Sequence, residues 1–214
     1  MIQGKLIVFE GPDSVGKTTL ARTLVARFDG FRIPCDYVSF PGKGMGTLGR
    51  LVYDIHHDMM QFGINSINST SLQLLHIAAH IDAIGRVIVP ALKNGRIVVL
   101  DRYWWSTFVY GMVSQANRQS LEQMIALEKN HWGEIRPHVV FLLRRARAGS
   151  ADLRLPQLIA EYEKLAQCES AFTNVVPLEV HSDVEITMLE IIQSLKDILE
   201  RGQTQSDVSI DLPL

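Results

Sequence analysis

Gly11, Gly16, Lys17 and Thr18 stand at the spacing GxxxxGK(S/T) within LIVFEGPDSVGKTT, residues 6 to 19. Glycines at those two places let backbone N–H groups curl around a phosphate, and the start of the following helix faces its charge. Ser14, Val15 and Thr19 complete the cradle. Lys17 reaches the β- and γ-phosphates and the Thr18 hydroxyl is placed as a magnesium ligand, so the stretch predicts a nucleoside triphosphate with Mg²⁺. A second constellation is Asp101-Arg102-Tyr103. It follows the apolar run Ile97 to Leu100, which puts Asp101 at a strand's carboxyl end, where doubly wound sheets bind ligands and where a carboxylate acts on the metal or its waters. Arg102 offers a planar fork of donors to phosphate oxygens; the competing reading is a surface ion pair.

These residues need a sheet to hold them. Apolar runs that read as buried parallel strands recur at Leu6–Phe9, Tyr37–Phe40, Ile97–Leu100, Val139–Leu143 and Val175–Val180, with helical patterns between them. The expected class is α/β. A helix runs from the phosphate loop to about Phe28, a second covers Leu48 to Met60, and a long one spans Ser71 to Leu92, with Pro90 as its kink or stop. Leu158, Tyr162 and Leu165 form another helical stripe. Ser182 and Glu185 stand at capping-box spacing before a helix to Leu199. One domain over residues 1–202 is expected, with a short lid at about 144–157 and a tail at 203–214 whose Val208, Ile210 and Leu212 alternate.

Composition narrows the partners. The 214 residues carry 21 Lys plus Arg against 23 Asp plus Glu, so no basic field is present to recruit a nucleic-acid polymer or an anionic membrane. Cys35 and Cys168 are far apart and lack metal-type spacing, which suits a reducing compartment, the cytoplasm. The N-terminal apolar run is broken by Glu10, and no later stretch approaches the roughly 18 uninterrupted apolar residues of a membrane span. A soluble, unprocessed chain is expected.

Over nearly its whole length the chain resembles the thymidylate kinase family. FEGPDSVGKTT is similar to that family's phosphate loop, LLHIAAHIDAIGRVIVPALKNGRIVVLDRYWWSTFVYG to its central helix, strand and DRY segment, and RPHVVFLL and VVPLEV to its last two strands. The resemblance implies a P-loop kinase fold, a five-stranded parallel sheet flanked by helices, with a lid over the phosphates. It implies transfer of the ATP γ-phosphate to a nucleoside monophosphate, thymidine monophosphate (dTMP) first, and a homodimer. It puts Lys17 and Thr18 on ATP and Mg²⁺, Asp101 near the metal, and Arg102 between acceptor phosphate and γ-phosphate. Asp13 then meets the acceptor's sugar hydroxyl, Tyr110 packs by the deoxyribose, and Thr107 lies near the base.

Where the family stacks a phenylalanine on thymine and reads the base with an arginine, this chain has His76 and His80. Both share one helix face and are expected to line the acceptor pocket, with acceptor use changing between pH 6 and 8 as imidazole titrates. Lys43 stands nearest the arginine that clamps the acceptor phosphate and supplies charge without a bidentate fork. The lid segment carries Arg144, Arg145, Arg147 and Arg154, of which Arg144, Arg147 and Arg154 are taken as the candidate cations on ATP, against the reading of a solvated basic loop. His56 and His57 are expected at the surface or in capping roles. The other functional classes are a kinase of nucleosides or other small alcohols, which gains from a general base, and a non-kinase P-loop ATP-binding or ATPase module.

Overall fold

The computed structural model describes residues 4–145 and 153–203. Strands β1 (Leu6–Glu10), β2 (Cys35–Ser39), β3 (Ile97–Asp101), β4 (Val139–Arg144) and β5 (Val175–Glu179) form one sheet in the order β2-β3-β1-β4-β5. Every pairing is parallel, with Leu6 opposite Val98 and Ile7 opposite Val139 in register. The five expected strands are all present, each within two residues of its expected ends. β1 and β3 are buried along their whole length because helices cover both faces, which is why they read as apolar runs.

Alternate side chains feed two cores. Ile7 and Phe9 of β1 pack with Leu20 and Leu24 of α1 (Lys17–Gly30) and with Met188, Ile191 and Leu195 of α8 (Val184–Gln203). Leu6 and Val8 face the other way. They meet Ile77 of α3 (Ser69–Ala83), Trp105 and Val109 of α5 (Trp104–Val113), and Ile125 and Trp132 of α6 (Arg118–Trp132). Trp104 and Trp105 are buried in this second core, and Tyr162 of α7 (Leu155–Glu169) closes it.

Between β2 and β3, α2 (Leu48–His57) ends short of Met60. Asp58 stops it and its side chain starts a 3-10 turn over Met59–Phe62. The long helix is not one helix. α3 starts behind the Asn68 cap, whose side chain accepts from the Ser71 N–H at 2.8 Å, and passes through a π-helical turn, Ile84–Ile88, into α4 (Val89–Lys93). Pro90 lacks an N–H and its ring crowds the carbonyl four residues back, so the wider turn ahead of it relieves both problems. The run Ser69–Lys93 is apolar and long enough by composition to cross a bilayer, but Ile77, Ile84, Ile88 and Leu92 are buried in the core over the sheet.

At the start of α8 the expected capping box is replaced. Asp183, not Ser182, accepts from the Glu185 N–H, at 2.9 Å, and Glu185 pairs with Arg27 of α1 instead of reaching back. Half of the expected lid, residues 146–152, and the tail from residue 204 lie outside the described residues.

Candidate active site

The chain leaves β1 at Glu10 and turns at once. Gly11 has φ +137°, and a Cβ there would lie 2.5 Å from the Leu143 carbonyl oxygen at the end of β4. Gly16, at φ +106°, opens α1. Ser14 holds φ +63° without being glycine, a left-handed conformation of the kind that clusters at ligand clamps. Lys17 is 5% exposed, and its Nζ donates to the carbonyls of Gly11 at 2.9 Å and Pro12 at 2.5 Å. The loop is thus held in its curled form by the group that serves the phosphates. Burial, helped by the nearby charge of Arg102, lowers the Lys17 pKa to about 8.

Thr18 and Asp101 meet as expected. The Thr18 hydroxyl donates to Asp101 Oδ2 at 2.6 Å, and the Tyr37 phenol donates to the same oxygen at 3.0 Å. A hydroxyl and a carboxylate beside a phosphate cradle fit Mg²⁺, which takes few protein oxygens and keeps the rest of its sphere for phosphate and water. The ion would supply charge neutralisation on the β- and γ-phosphates when bound.

Glu10 looks in sequence like an interruption of a strand, yet it organises the site. Wholly buried, its carboxylate accepts from the N–H groups of Gly11 at 3.2 Å, Tyr103 at 2.7 Å and Ser106 at 3.0 Å, from the Ser106 hydroxyl at 2.7 Å and from the Tyr162 phenol at 3.3 Å. It caps α5 from another strand. Burial raises its pKa, against the pull of the Ser106 hydrogen bond and the Arg102 charge. Arg102 leaves β3 at φ +75°, its N–H bonded to the Phe9 carbonyl at 2.9 Å. Its guanidinium donates to Ser106 Oγ at 2.9 Å and pairs with Asp13, which also accepts from the Tyr110 phenol at 2.8 Å. Burial pushes the Asp13 pKa up, but Arg102 and the Tyr110 hydrogen bond outweigh it and hold the carboxylate below its ordinary value.

A single cavity of about 710 Å³ runs from this loop to the wall made by α2, α3 and α5. Lys17, Thr18 and Asp101 line one end; Lys43, His76, His80, Thr107 and Tyr110 line the other, with Asp13 and Arg102 also on the wall. Lys43 carries its Nζ 4.4 Å over the Tyr53 ring. His80 is 2% exposed, its Nδ1 2.9 Å from Glu128 and its ring stacked on Phe40 at 3.9 Å, so it is a packed wall rather than a reaching side chain. His56 and His57 are exposed in the last turn of α2, as expected, and there they also line the cavity with Tyr53. His76 Nε2 lies 3.1 Å from His56 Nδ1. Burial, then the neighbouring histidines, puts the His76 pKa well below 6.5, which moves its titration out of the expected pH 6 to 8 interval.

Of the lid arginines, Arg144 is drawn away by Glu163 on α7 at 2.8 Å, while its neighbour Arg145 lines the cavity. Arg147 lies outside the described residues, and Arg154 sits at the start of α7 off the cavity wall. Gln73 was missed. Gln73, His76 and His80 recur at helical spacing along one face of an otherwise apolar helix, and that was the available signal.

A parallel sheet with its phosphate loop on the central strand, and an arginine between two ends of one cavity, is the build of a P-loop nucleotide kinase. The family model described as Thymidylate kinase matches residues 9–200, and the chain belongs to that family. It is 30% identical over 216 aligned positions to a thymidylate kinase of Bartonella henselae, covering 94% of this chain and 97% of the relative. A thymidylate kinase of Symbiobacterium thermophilum is 28% identical, with 91% and 94% covered. The crystal structure of thymidylate kinase from Ehrlichia chaffeensis superposes with a TM-score of 0.70 at 22% identity, over 90% of this chain and 98% of that one, and shares the fold. The chain is accordingly an ATP-dependent nucleoside monophosphate kinase.

Proposed function

We propose that the acceptor is dTMP and that Arg102 bridges its phosphate and the γ-phosphate of ATP. The observation that carries this reading is the continuity of the cavity from Lys17 and Thr18, past Arg102, to Tyr110 and Thr107. Phosphoryl transfer needs positioning and charge neutralisation more than a protein base. The residues agree: Asp13 is paired with Arg102, and Glu10 is saturated with donors, so neither carboxylate is free to deprotonate an alcohol. That favours an acceptor that is already an anion. In this reading Lys17 and Arg145 serve ATP, Lys43 serves the acceptor phosphate, and Asp13 with Tyr110 holds the sugar.

ADP release from MgATP against a panel of ribo- and deoxynucleoside monophosphates tests the proposal. dTMP is expected to give the fastest turnover or to share it with one other pyrimidine; turnover with nucleosides but not monophosphates would overturn it. We also place the enzyme in the cytoplasm as a homodimer. The free state of Cys35 and Cys168 supports the first, and the large apolar side chains Leu51, Leu74 and Val87, left exposed on the helices, support the second. Sedimentation equilibrium gives the oligomeric state.

A further inference from the structure

The wall formed by α3 and α5 holds two polar side chains that the phosphate machinery does not use. Gln73 is 5% exposed and Thr107 4%, and both line the cavity. Among the described residues, neither side chain has a hydrogen-bond partner. Their polar atoms are not sealed in protein as the Trp105 indole nitrogen is, so they look into the cavity. A Cβ built on Gly111 would come within 2.7 Å of Leu121 Cδ2 and 3.2 Å of Gln73 Cγ, so that glycine makes room for Leu121 first and for the glutamine stem beside it. Thr107 is four residues earlier on α5 and therefore on the same helix face. His76, one turn along α3 from Gln73, meets His56 beside them.

Polar atoms that face a cavity without a protein partner are open to a ligand that fills it. We propose that the Gln73 carboxamide, beside the Thr107 hydroxyl that the family likeness already puts near the base, reads the hydrogen-bonding edge of the acceptor's base and accepts a pyrimidine carrying either a 4-oxo or a 4-amino group. The proposal rests on the nucleoside monophosphate reading above and extends it to deoxycytidine monophosphate. Thymine offers a donor at N3 and an acceptor at O4; cytosine offers an acceptor at N3 and a donor at its 4-amino group. A carboxamide carries one oxygen acceptor and one NH₂ donor side by side and turns over to match either edge, and a hydroxyl both donates and accepts. An arginine at the turn after His76 would present donors only and favour the 4-oxo base. His80 stands there instead, with its Nδ1 engaged by Glu128.

The test is kcat and KM for dTMP and deoxycytidine monophosphate, with titration calorimetry of each, in the wild type, Gln73→Met and Gln73→Lys. The wild type is expected to use the two acceptors within about tenfold of each other. The near-isosteric Gln73→Met should raise KM for both by roughly ten- to a hundredfold, the range for an unpaired buried group, with kcat and ATP affinity little changed. Donor-only Gln73→Lys should restore dTMP and leave deoxycytidine monophosphate poor, a switch that a purely structural glutamine would not produce. An unchanged KM in Gln73→Met, or a wild type that rejects deoxycytidine monophosphate by about a thousandfold or more, overturns the inference while leaving dTMP kinase activity standing. A folded wild type that binds neither monophosphate overturns the underlying reading instead.

Discussion

Lys17 is almost fully buried, yet among the described residues its ammonium bonds only to the loop carbonyls it holds, so its charge serves the ligand and not the core. Lys17→Ala is expected to abolish phosphoryl transfer while circular dichroism shows an intact fold. Its pKa adds a pH test with a definite sign. In the free enzyme the group loses its proton near pH 8, and bound phosphates, being anionic, raise that value. ATP affinity should therefore be fully developed below pH 8 and fall above it, by up to about tenfold per pH unit until the bound-state pKa is reached. Titration calorimetry at pH 7, 8 and 9 reads this, and a flat profile would mean Lys17 stays clear of the phosphates. Arg102 holds Ser106 and Asp13 through separate nitrogens of one rigid fork. Arg102→Lys is expected to cost at least about tenfold in kcat, since a point charge does not reproduce a fork between two phosphates. An unchanged rate would reduce Arg102 to an ion pair with Asp13.

The elements that place these residues meet at Glu10, which links β1, the exit of β3, the start of α5 and, through Tyr162, α7. Glu10→Ala would strand three backbone N–H groups and two hydroxyls in the interior, and should destabilise the fold by about 3 kcal/mol or more, read as a lower urea midpoint. A midpoint within error of the wild type would show that these donors find other partners. Glu10 also marks where sequence reading stops. The phosphate loop and the DRY segment are local, so their spacing alone exposes them, and strands buried on both faces announce themselves as apolar runs. α5 and α6 were not anticipated. In WWSTFVYGMV six of the ten positions are buried and none is exposed, which leaves no polar face to mark a period, and in α6 the buried Glu128 interrupts the stripe of Leu121, Met124, Ile125 and Trp132. His56 and Gln73 belong to the wall only because α2, α3 and α5 converge, and no spacing within one segment encodes that.

At the scale of the whole molecule, two cores on a fully parallel sheet leave room for a large opening, and its acceptor end is lined by His56 and His76, whose neutral form burial favours. His76 and His56 both have pKa values lowered below 6.5, chiefly by burial, and next by His80 for the first and by His57 for the second. The sign of the effect on stability follows from proton counts. Below pH 6.5 the unfolded chain takes up protons on these side chains while the folded chain does not, so acid favours unfolding. Stability is thus full above pH 6.5 and declines as pH falls toward the folded values, by as much as about 1.4 kcal/mol per pH unit for His76 alone. Urea unfolding at pH 7.0, 6.0 and 5.0 is expected to show this decline, and His76→Gln, which keeps a hydrogen-bonding group but cannot titrate, should flatten it. The same neutrality makes acceptor use insensitive to His76 protonation between pH 6 and 8. If the wild type and His76→Gln instead lose stability in parallel down to pH 5, the histidine wall is solvated enough to hold protons and the acceptor end of the cavity is wetter than its packing implies.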